Sequence, residues 1–243
     1  MNINDEPVEG LPYCLPPTDL SLHKDILASI LFDKDESICY GMLTYKCNST
    51  FTHFIDPSMN CLNGLYDENL PPPPLIHINP ASLSAKNGVA AQSCSPRTML
   101  FEMDSGSGTD QFLAWQRCGI PFTVINYTGN KSLHVLVRLE TPLPLDEYEC
   151  LHKAITTCLR SKFNMPVDTA TCKPNLTTKI PGFIGKAGRS RLIAISNNAT
   201  VSHTDFAAWA VSIGVTKELI IASESVSGYR GYNSFTSQNN RKV

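Results

Sequence analysis

The chain has 243 residues, of which 42% are hydrophobic and 17% charged, and its formal net charge is −2. This composition supplies enough apolar residues for a hydrophobic core and excludes a fibrous or wholly disordered chain. No apolar run approaches the roughly 18 residues of a membrane helix, and the N-terminal residues do not resemble a signal peptide. We therefore expect a cytoplasmic protein with no membrane partner.

Charge is distributed unevenly along the chain. Residues 1–128 contain 6 Lys and Arg against 14 Asp and Glu, whereas residues 129–191 contain 10 against 5. Between Cys172 and Arg191 there are five basic residues and no acid. Such a segment either neutralises nucleic-acid phosphates or forms an ordinary solvated surface, and charge alone does not separate these two interpretations.

Three regions follow from the local composition. Residues 1–70 are predicted to be an N-terminal accessory region that is acidic and irregular, apart from one helix near residues 19–32. A run of four prolines follows and is predicted to form an extended spacer. The main domain is predicted to cover residues 75–222 and to open with a strand at 75–79. Residues 223–243 are rich in Ser, Gly and Asn and are predicted to be a disordered tail.

Two acids stand on one predicted strand of the main domain. Glu102 and Asp104 are two positions apart, which places both carboxylates on the same face of the strand, while Phe101 and Met103 point to the core. Neighbouring carboxylates repel each other unless a divalent cation lies between them. The strand therefore predicts a metal site.

A β-hairpin is predicted after this acidic strand. A strand over residues 122–127 is followed by a turn at 128–131 and by a second strand over 132–139. The second strand alternates, with one apolar face formed by Leu133, Val135, Val137 and Leu139 and a polar face formed by Ser132, His134 and Arg138. The polar face would bring a hydroxyl and an imidazole close to the acids.

Helices are predicted on both sides of the hairpin. Thr109 would cap the first, which runs to about residue 118. The second would begin with a capping-box-like pair, Asp146 and Glu149. It places Tyr148, Leu151, Ile155 and Leu159 at helical spacing. A further helix is predicted over 204–213, after a strand at 191–195, with Phe206 and Trp209 facing inward.

This order of elements predicts an α+β fold. Its sheet is expected to be mostly antiparallel and RRM-like, with helices packed on one face. The other face is expected to be open and polar, and to carry the acids together with His134 and Ser132.

Several segments in this order resemble the archaeo-eukaryotic primase superfamily, and in particular the primase-polymerases of phages and plasmids. They are residues 76–80, residues 100–106 with Gln111, residues 127–134, Asp168, and residues 179–182. The resemblance spans residues 76–195. Glu102 stands where the family more often has Asp. Lys179 stands where many relatives have Arg, so the charge is kept but the bidentate fork is lost.

The resemblance implies a DNA-template-dependent nucleotidyltransferase, which makes primers from nucleoside triphosphates by two-metal phosphoryl transfer. It implies that Glu102, Asp104 and Asp168 hold two Mg²⁺ or Mn²⁺ ions, with His134 as a further catalytic residue. It also implies nucleotide contacts. These would come from Ser132 and His134, with help from Lys131, Lys179, Arg189 and Arg191.

Partners follow from the same resemblance. The expected partners are a single-stranded DNA template, nucleoside triphosphates and a separate replicative helicase, because the chain lacks the Gly-Lys-Ser/Thr phosphate loop of an ATPase. The alternatives are an inactive nucleic-acid-binding module of the same fold and, less favoured, a rolling-circle nickase. Acids that face phosphates argue against a pure binding module. His77 could belong to the metal motif of a nickase, but Asn79 stands where a second histidine is needed.

Overall fold

The computed structural model of the protein describes residues 13–33, 36, 38–43, 50–55, 75–80, 96–185 and 188–227. The strands in chain order are β1 (Tyr13–Cys14), β2 (Ile38–Leu43), β3 (Thr50–Ile55), β4 (Leu75–His77), β5 (Thr98–Glu102), β6 (Val124–Tyr127), β7 (Leu133–Arg138), β8 (Thr177–Lys179), β9 (Ile184–Gly185), β10 (Gly188–Arg189) and β11 (Arg191–Ser196). The helices are α1 (His23–Leu31), α2 (Gly108–Arg117), α3 (Leu145–Phe163), α4 (His203–Ser212) and α5 (Lys217–Ser227), and a short 3-10 helix covers Thr169–Cys172.

Two sheets organise most of these strands. The central sheet has five strands in the order β1-β11-β6-β7-β5, and the second sheet has four in the order β3-β2-β4-β8. Neighbouring strands in both sheets are antiparallel. The predicted α+β fold with an antiparallel sheet is therefore confirmed, and so is the predicted hairpin, which β6 and β7 form.

Helices cover one face of the central sheet, as predicted. Phe101 of β5 and Val135 of β7 point from this face into a buried core. The same core contains Trp115 of α2, Leu151 of α3 and Phe206 of α4. The apolar positions that recur along these helices thus lie against the alternating apolar positions of the strands.

The opposite face of the central sheet is not open along its whole length, contrary to the prediction. Leu100, Leu136 and Leu192 project from it into a second core, together with Ile76 of β4 and Leu27 of α1. The middle residues of β5 and β7 are apolar on both faces, which is typical of a strand that is covered on both sides. The polar part of this face lies at the end of the sheet where β5 ends.

The N-terminal region shares both sheets with the main domain. Strand β1 pairs with β11, and β2 pairs with β4. The prediction of irregular structure was wrong for β2 and β3, which pair with each other over six residues. The assignment of residues 1–70 as an accessory region stays a prediction.

Two buried arginines also join the N-terminal region to the central sheet. Arg138, at the end of β7, donates to Asp33 at 2.8 Å. Arg97 pairs with Asp33 at 3.0 Å and also with Glu36. The hydrogen bond from Arg138 is the main reason why the pKa of Asp33 lies below its ordinary value.

The start of α2 differs from the prediction because another residue caps it. Ser107, not Thr109, precedes the helix, and its hydroxyl accepts a hydrogen bond from the Asp110 N–H at 3.1 Å. The Asp110 carboxylate in turn accepts from the Ser107 N–H. The reciprocal pair satisfies two donors that the first turn would otherwise leave free.

The start of α3 also differs from the prediction. The helix begins at Leu145 after Pro144 and has no side-chain cap, so the predicted box of Asp146 and Glu149 was wrong. Proline is compatible with a helix start because its φ angle is already fixed near the helical value. At the other end the helix stops at Asn164, which adopts a left-handed conformation with φ of 52°.

The remaining helices are close to their predicted positions. Helix α4 buries Phe206 and Trp209 as predicted, and α1 is shorter than the predicted 19–32. Helix α5 continues beyond residue 223, where the tail was predicted to begin, and residues 228–243 lie outside the described residues. Within the described ranges no single helix is long and apolar enough to cross a membrane. The bent pair of α4 and the first part of α5 passes that test by length and composition only.

A buried histidine on α3 supports the strand that carries the acids. The Nε2 atom of His152 lies 2.7 Å from the Leu100 carbonyl, and its ring stacks on Phe101 with centroids 4.3 Å apart. Removal from solvent disfavours the charged ring and lowers the pKa of His152 to about 4.

We predict that this residue makes the protein sensitive to mild acid. The unfolded chain binds a proton at His152 near pH 6.5, whereas the folded chain does so only near pH 4, so stability falls as the pH drops between these values. The free energy of unfolding in urea should fall by about 2 kcal/mol between pH 7 and pH 5 because of this group. His152→Gln should lose most of that dependence. A control, His203→Gln, should keep it, and an unchanged dependence in His152→Gln would contradict the assignment.

Candidate active site

Three carboxylates from two separate segments converge at the end of β5. Glu102 is the last residue of that strand, Asp104 follows two residues later, and Asp168 lies between α3 and the 3-10 helix. Each offers a carboxylate oxygen, and these oxygens all lie within 4.8 Å of one another. The structure therefore brings the three predicted acids together.

Asp168 reaches this place because the chain after α3 pairs briefly with the end of β5. Met103 and Val167 form an antiparallel bridge, and the Asp168 N–H donates to the Glu102 carbonyl at 2.9 Å. Arg160 of α3 donates to the Val167 carbonyl at 2.7 Å. These backbone contacts hold the carboxylate of Asp168 beside the other two.

His134 lies directly opposite Glu102 in the pairing of β5 with β7. Residues directly opposite each other in antiparallel strands point to the same face. The Nε2 atom of His134 is 2.5 Å from a Glu102 carboxylate oxygen, and the two side chains are 12% and 19% exposed. The imidazole is therefore a direct neighbour of the acidic cluster, at its less exposed side.

Two residues from the hairpin turn contact Asp104, which is the most exposed of the three acids. Ser132 donates from its hydroxyl to the Asp104 carboxylate at 3.1 Å. Lys131 pairs with the same carboxylate oxygen at 3.7 Å, and both side chains are 63% exposed. The turn thus supplies a hydroxyl and an ammonium group at the open side of the cluster.

Gln111 of α2 holds this turn in place, a role that the sequence did not predict. Its side chain is 1% exposed. The side-chain amide donates to the Lys131 carbonyl at 2.9 Å and accepts from the Leu133 N–H at 2.8 Å. It also donates to the Ser105 carbonyl at 3.1 Å. One buried amide therefore links the loop after Asp104 to the start of β7.

Asn126 and Thr178 contact His134 from the buried side of the site, and the sequence did not predict this role for them either. His134 Nδ1 lies 2.8 Å from the Thr178 hydroxyl, and the Asn126 side-chain amide donates to the same hydroxyl at 3.0 Å. Thr178 belongs to β8 of the second sheet, so its position beside His134 depends on how the two sheets pack. The only local signal was Asn126 itself, because a lone amide is unusual in an apolar strand.

Three other predicted residues lie on or next to β8 and β10. The ammonium group of Lys179 lies 5.2 Å from the centre of the Phe183 ring, and burial lowers the pKa of this lysine. Arg189 donates to the Gly182 carbonyl at 2.9 Å, and Arg191 pairs with Tyr127 in the sheet. Among the described contacts, none joins these three side chains to the acids.

The turn of the hairpin is packed tightly against β10. Gly129 has a φ of 77°, which glycine adopts without strain. A Cβ atom at this position would lie 2.6 Å from the Gly188 carbonyl oxygen and 2.9 Å from the Ser190 nitrogen. The β9–β10 hairpin, which carries Arg189, is thus a direct neighbour of the turn that carries Lys131 and Ser132.

Similarity to known proteins is found in the structure and not in the sequence. The sequence matches no protein-family model and no curated protein. The structure matches the archaeo-eukaryotic primase domain of the cyanophage S-2L primase-polymerase with a TM-score of 0.56 at 13% identity, over 84% of this chain and 99% of that domain. It matches the primase RepB′ with a TM-score of 0.53 at 13% identity, over 86% of this chain and 66% of that one. The catalytic domain of that primase in complex with initiator DNA gives a TM-score of 0.52 at 13% identity, over 86% and 100%.

The chain has the archaeo-eukaryotic primase fold. This confirms the fold that the sequence resemblance implied. One fold can carry several activities, so the function of this primase-fold protein has to be inferred from the residues of its site.

The acidic cluster of this primase fold is suited to a divalent cation. Glu102, Asp104 and Asp168 offer hard oxygen ligands, which are the ligands that Mg²⁺ and Mn²⁺ prefer. Their oxygens are close enough to bind one ion together. Two of these acids already have contacts in the structure. Asp104 contacts Ser132 and Lys131, and Glu102 contacts His134, so a bound cation would compete with these groups for the acidic oxygens.

We predict that a divalent cation stabilises the folded protein through this cluster. Mn²⁺ at a hundred times its dissociation constant should add about 2.7 kcal/mol to the free energy of unfolding, which is visible as a rise in Tm. Asp168→Asn should lose most of the rise because it removes one ligand. The matched control is Glu140→Gln, which removes an exposed acid beyond the far end of β7 and should respond like the wild type. An equal rise in Asp168→Asn and the wild type would contradict a metal site here.

Proposed function

We propose that this protein is a DNA-template-dependent nucleotidyltransferase, a primase or primase-polymerase that synthesises primers from nucleoside triphosphates. One observation carries the proposal, namely the convergence of Glu102, Asp104 and Asp168 beside His134 on a primase fold. A carboxylate cluster with an adjacent imidazole and hydroxyl suits phosphoryl transfer, in which the protein mainly positions the reactants and neutralises charge.

The acids are proposed to hold two divalent ions, Mg²⁺ or Mn²⁺. When bound, such ions activate the attacking hydroxyl and neutralise charge on the triphosphate. Glu102 is held at the end of a strand and Asp168 by backbone pairing, so both carboxylates are positioned before any ligand arrives. Asp104 is the most exposed of the three and lies on the side from which a nucleotide could enter.

The donors around the acids are proposed to bind the triphosphate. Ser132 has a hydroxyl, His134 an imidazole, and Lys131 an ammonium group, and all three groups contact acidic oxygens in the structure. Phosphate oxygens accept the same kinds of hydrogen bonds as carboxylates. Lys179, Arg189 and Arg191 are proposed as further nucleotide-binding residues on the basis of their charge and their position on or beside the neighbouring hairpin.

A single-stranded DNA template is the proposed macromolecular partner. The segment between Cys172 and Arg191 has five basic residues and no acid, which suits a surface that faces phosphates. One of the matching structures, the catalytic domain of primase RepB′, is a complex with initiator DNA. We further propose that the protein acts in the cytoplasm beside a separate replicative helicase, and that a phage or plasmid encodes it.

The first test of this function removes one acid. Asp104→Ala should lower metal-dependent incorporation of labelled nucleotides on a primed single strand by more than about 100-fold, because a metal ligand is lost. Its circular dichroism spectrum should stay unchanged. The control, Asp25→Ala, removes an exposed acid of α1 and should retain activity. Normal incorporation by Asp104→Ala would overturn the proposal. Template binding by a wild type that incorporates no nucleotide would favour the inactive nucleic-acid-binding module.

The second test concerns the nucleotide. A hydrogen bond to a charged group contributes about 1.5–3 kcal/mol, so His134→Ala should raise the KM for the nucleoside triphosphate by roughly 10- to 100-fold, with a smaller change in kcat. His203→Ala is the matched control, because His203 lies far from the acids. It comes two residues after Val201, which bridges to Leu139 just beyond the end of β7 that is opposite His134. A loss of kcat at unchanged KM would show that His134 does not bind the nucleotide.

A further inference from the structure

A chain of hydrogen bonds runs from the buried interior to the acidic cluster. The Asn126 side-chain amide donates to the Thr178 hydroxyl at 3.0 Å, this hydroxyl lies 2.8 Å from His134 Nδ1, and His134 Nε2 lies 2.5 Å from a Glu102 oxygen. Asn126 and Thr178 are both 0% exposed. This series of hydrogen bonds crosses from β6 of the central sheet to β8 of the second sheet and returns to β7.

The orientation of the Asn126 amide is fixed by its other contact. Its nitrogen lies 2.7 Å from the Lys179 carbonyl oxygen, which can only accept a hydrogen bond. The group facing that carbonyl must therefore be the NH₂ group and not the amide oxygen. As a result the same NH₂ group also faces the Thr178 hydroxyl and donates to it.

The Thr178 hydroxyl has one proton to give, and His134 is positioned to receive it. Asn126 donates to the hydroxyl oxygen, so the hydroxyl proton is free to point at Nδ1 of the imidazole. A neutral imidazole that accepts at Nδ1 carries its own proton on Nε2. That proton then lies between His134 and the Glu102 carboxylate.

Asn126 makes these contacts at a cost to stability. Its side-chain oxygen is buried and has no hydrogen-bond partner among the residues that the structure describes. An unpaired buried acceptor destabilises the folded state. The amide is therefore explained by the two hydrogen bonds that it donates, to the Thr178 hydroxyl and to the Lys179 carbonyl, and not by packing.

We infer that Asn126 and Thr178 are positioning residues that hold His134 as a hydrogen-bond donor through Nε2, aimed at the acidic cluster. The orientation of the ring does not depend on catalysis. Its use on a phosphate oxygen of an incoming nucleotide rests on the proposed function.

The direct test is the position of the proton on His134. In ¹H–¹⁵N spectra that resolve the imidazole nitrogens of the metal-free protein, at about pH 8.5, wild-type His134 should be protonated at Nε2 and not at Nδ1. His134→Gln identifies its signals among the 6 histidines. In a Glu102→Gln background, which removes the carboxylate that itself accepts from Nε2, Thr178→Val should give a mixture of the two neutral forms, whereas Thr178→Ser should keep the proton on Nε2. A proton on Nδ1 in the wild type would overturn the inference.

Kinetics provide the second readout. Thr178→Val should raise the KM for the nucleoside triphosphate about tenfold with kcat changed less than about twofold, and Thr178→Ser should restore the wild-type KM. Thr177→Val is the matched control, since Thr177 is the preceding residue of β8 and points to the other face. If Thr178→Val does not fold, Asn126→Ala replaces it and should shift the proton and the KM in the same direction.

The two proposals can fail separately. A wild type that carries its proton on Nε2 but incorporates no nucleotide would overturn the proposed function and leave the positioning intact. A polymerising wild type whose Thr178→Val variant keeps its KM, and keeps the Nε2 proton in the Glu102→Gln background, would overturn the positioning alone.

Discussion

The antiparallel register of β5 on β7 is the constraint on which the site depends. It places Glu102 opposite His134 on the same face of the sheet. A shift of one residue would turn Glu102 to the helix-covered face and bury an acid among apolar side chains. In the middle of these strands both faces are apolar, with Phe101 in one core and Leu100 in the other. The cost of a shifted register therefore falls on the polar ends of the strands, and this cost keeps the acid aligned with the imidazole.

Local alternation was sufficient to predict one half of the site. The spacing of Glu102 and Asp104 and the polar face of the strand with Ser132 and His134 follow from the period of a β-strand, and the structure has them where the sequence placed them. Asp168 could be proposed only from the resemblance to primases. Its place beside Glu102 results from a bridge between Met103 and Val167, which no local pattern in the sequence indicates.

The residues that the sequence did not predict act through contacts between distant segments. Thr178 contacts His134 because a second sheet packs on the first. Gln111 links the nearby loop at Ser105 to the turn at Lys131, which is 20 residues further along the chain. The expectation of an open polar face failed for the same reason. Leu100 and Leu136 look like ordinary core residues in the sequence, and nothing local shows that their partners come from β4 and α1. The two helix starts were predicted too late in the chain. The caps are Ser107 and Pro144, whereas the predicted caps, Thr109 and Asp146, lie inside the helices.

The arginines at the far end of the central sheet set a limit on how short a working fragment of this protein can be. Arg97 and Arg138 are each 5% exposed, and their described carboxylate partners are Asp33 and Glu36. A polypeptide that began at Leu75 would keep both guanidinium groups and lose these counter-ions. A buried guanidinium group without its partner destabilises the folded state. We therefore expect an independently folding unit of this protein to begin before Asp33, although every proposed catalytic residue lies after residue 100.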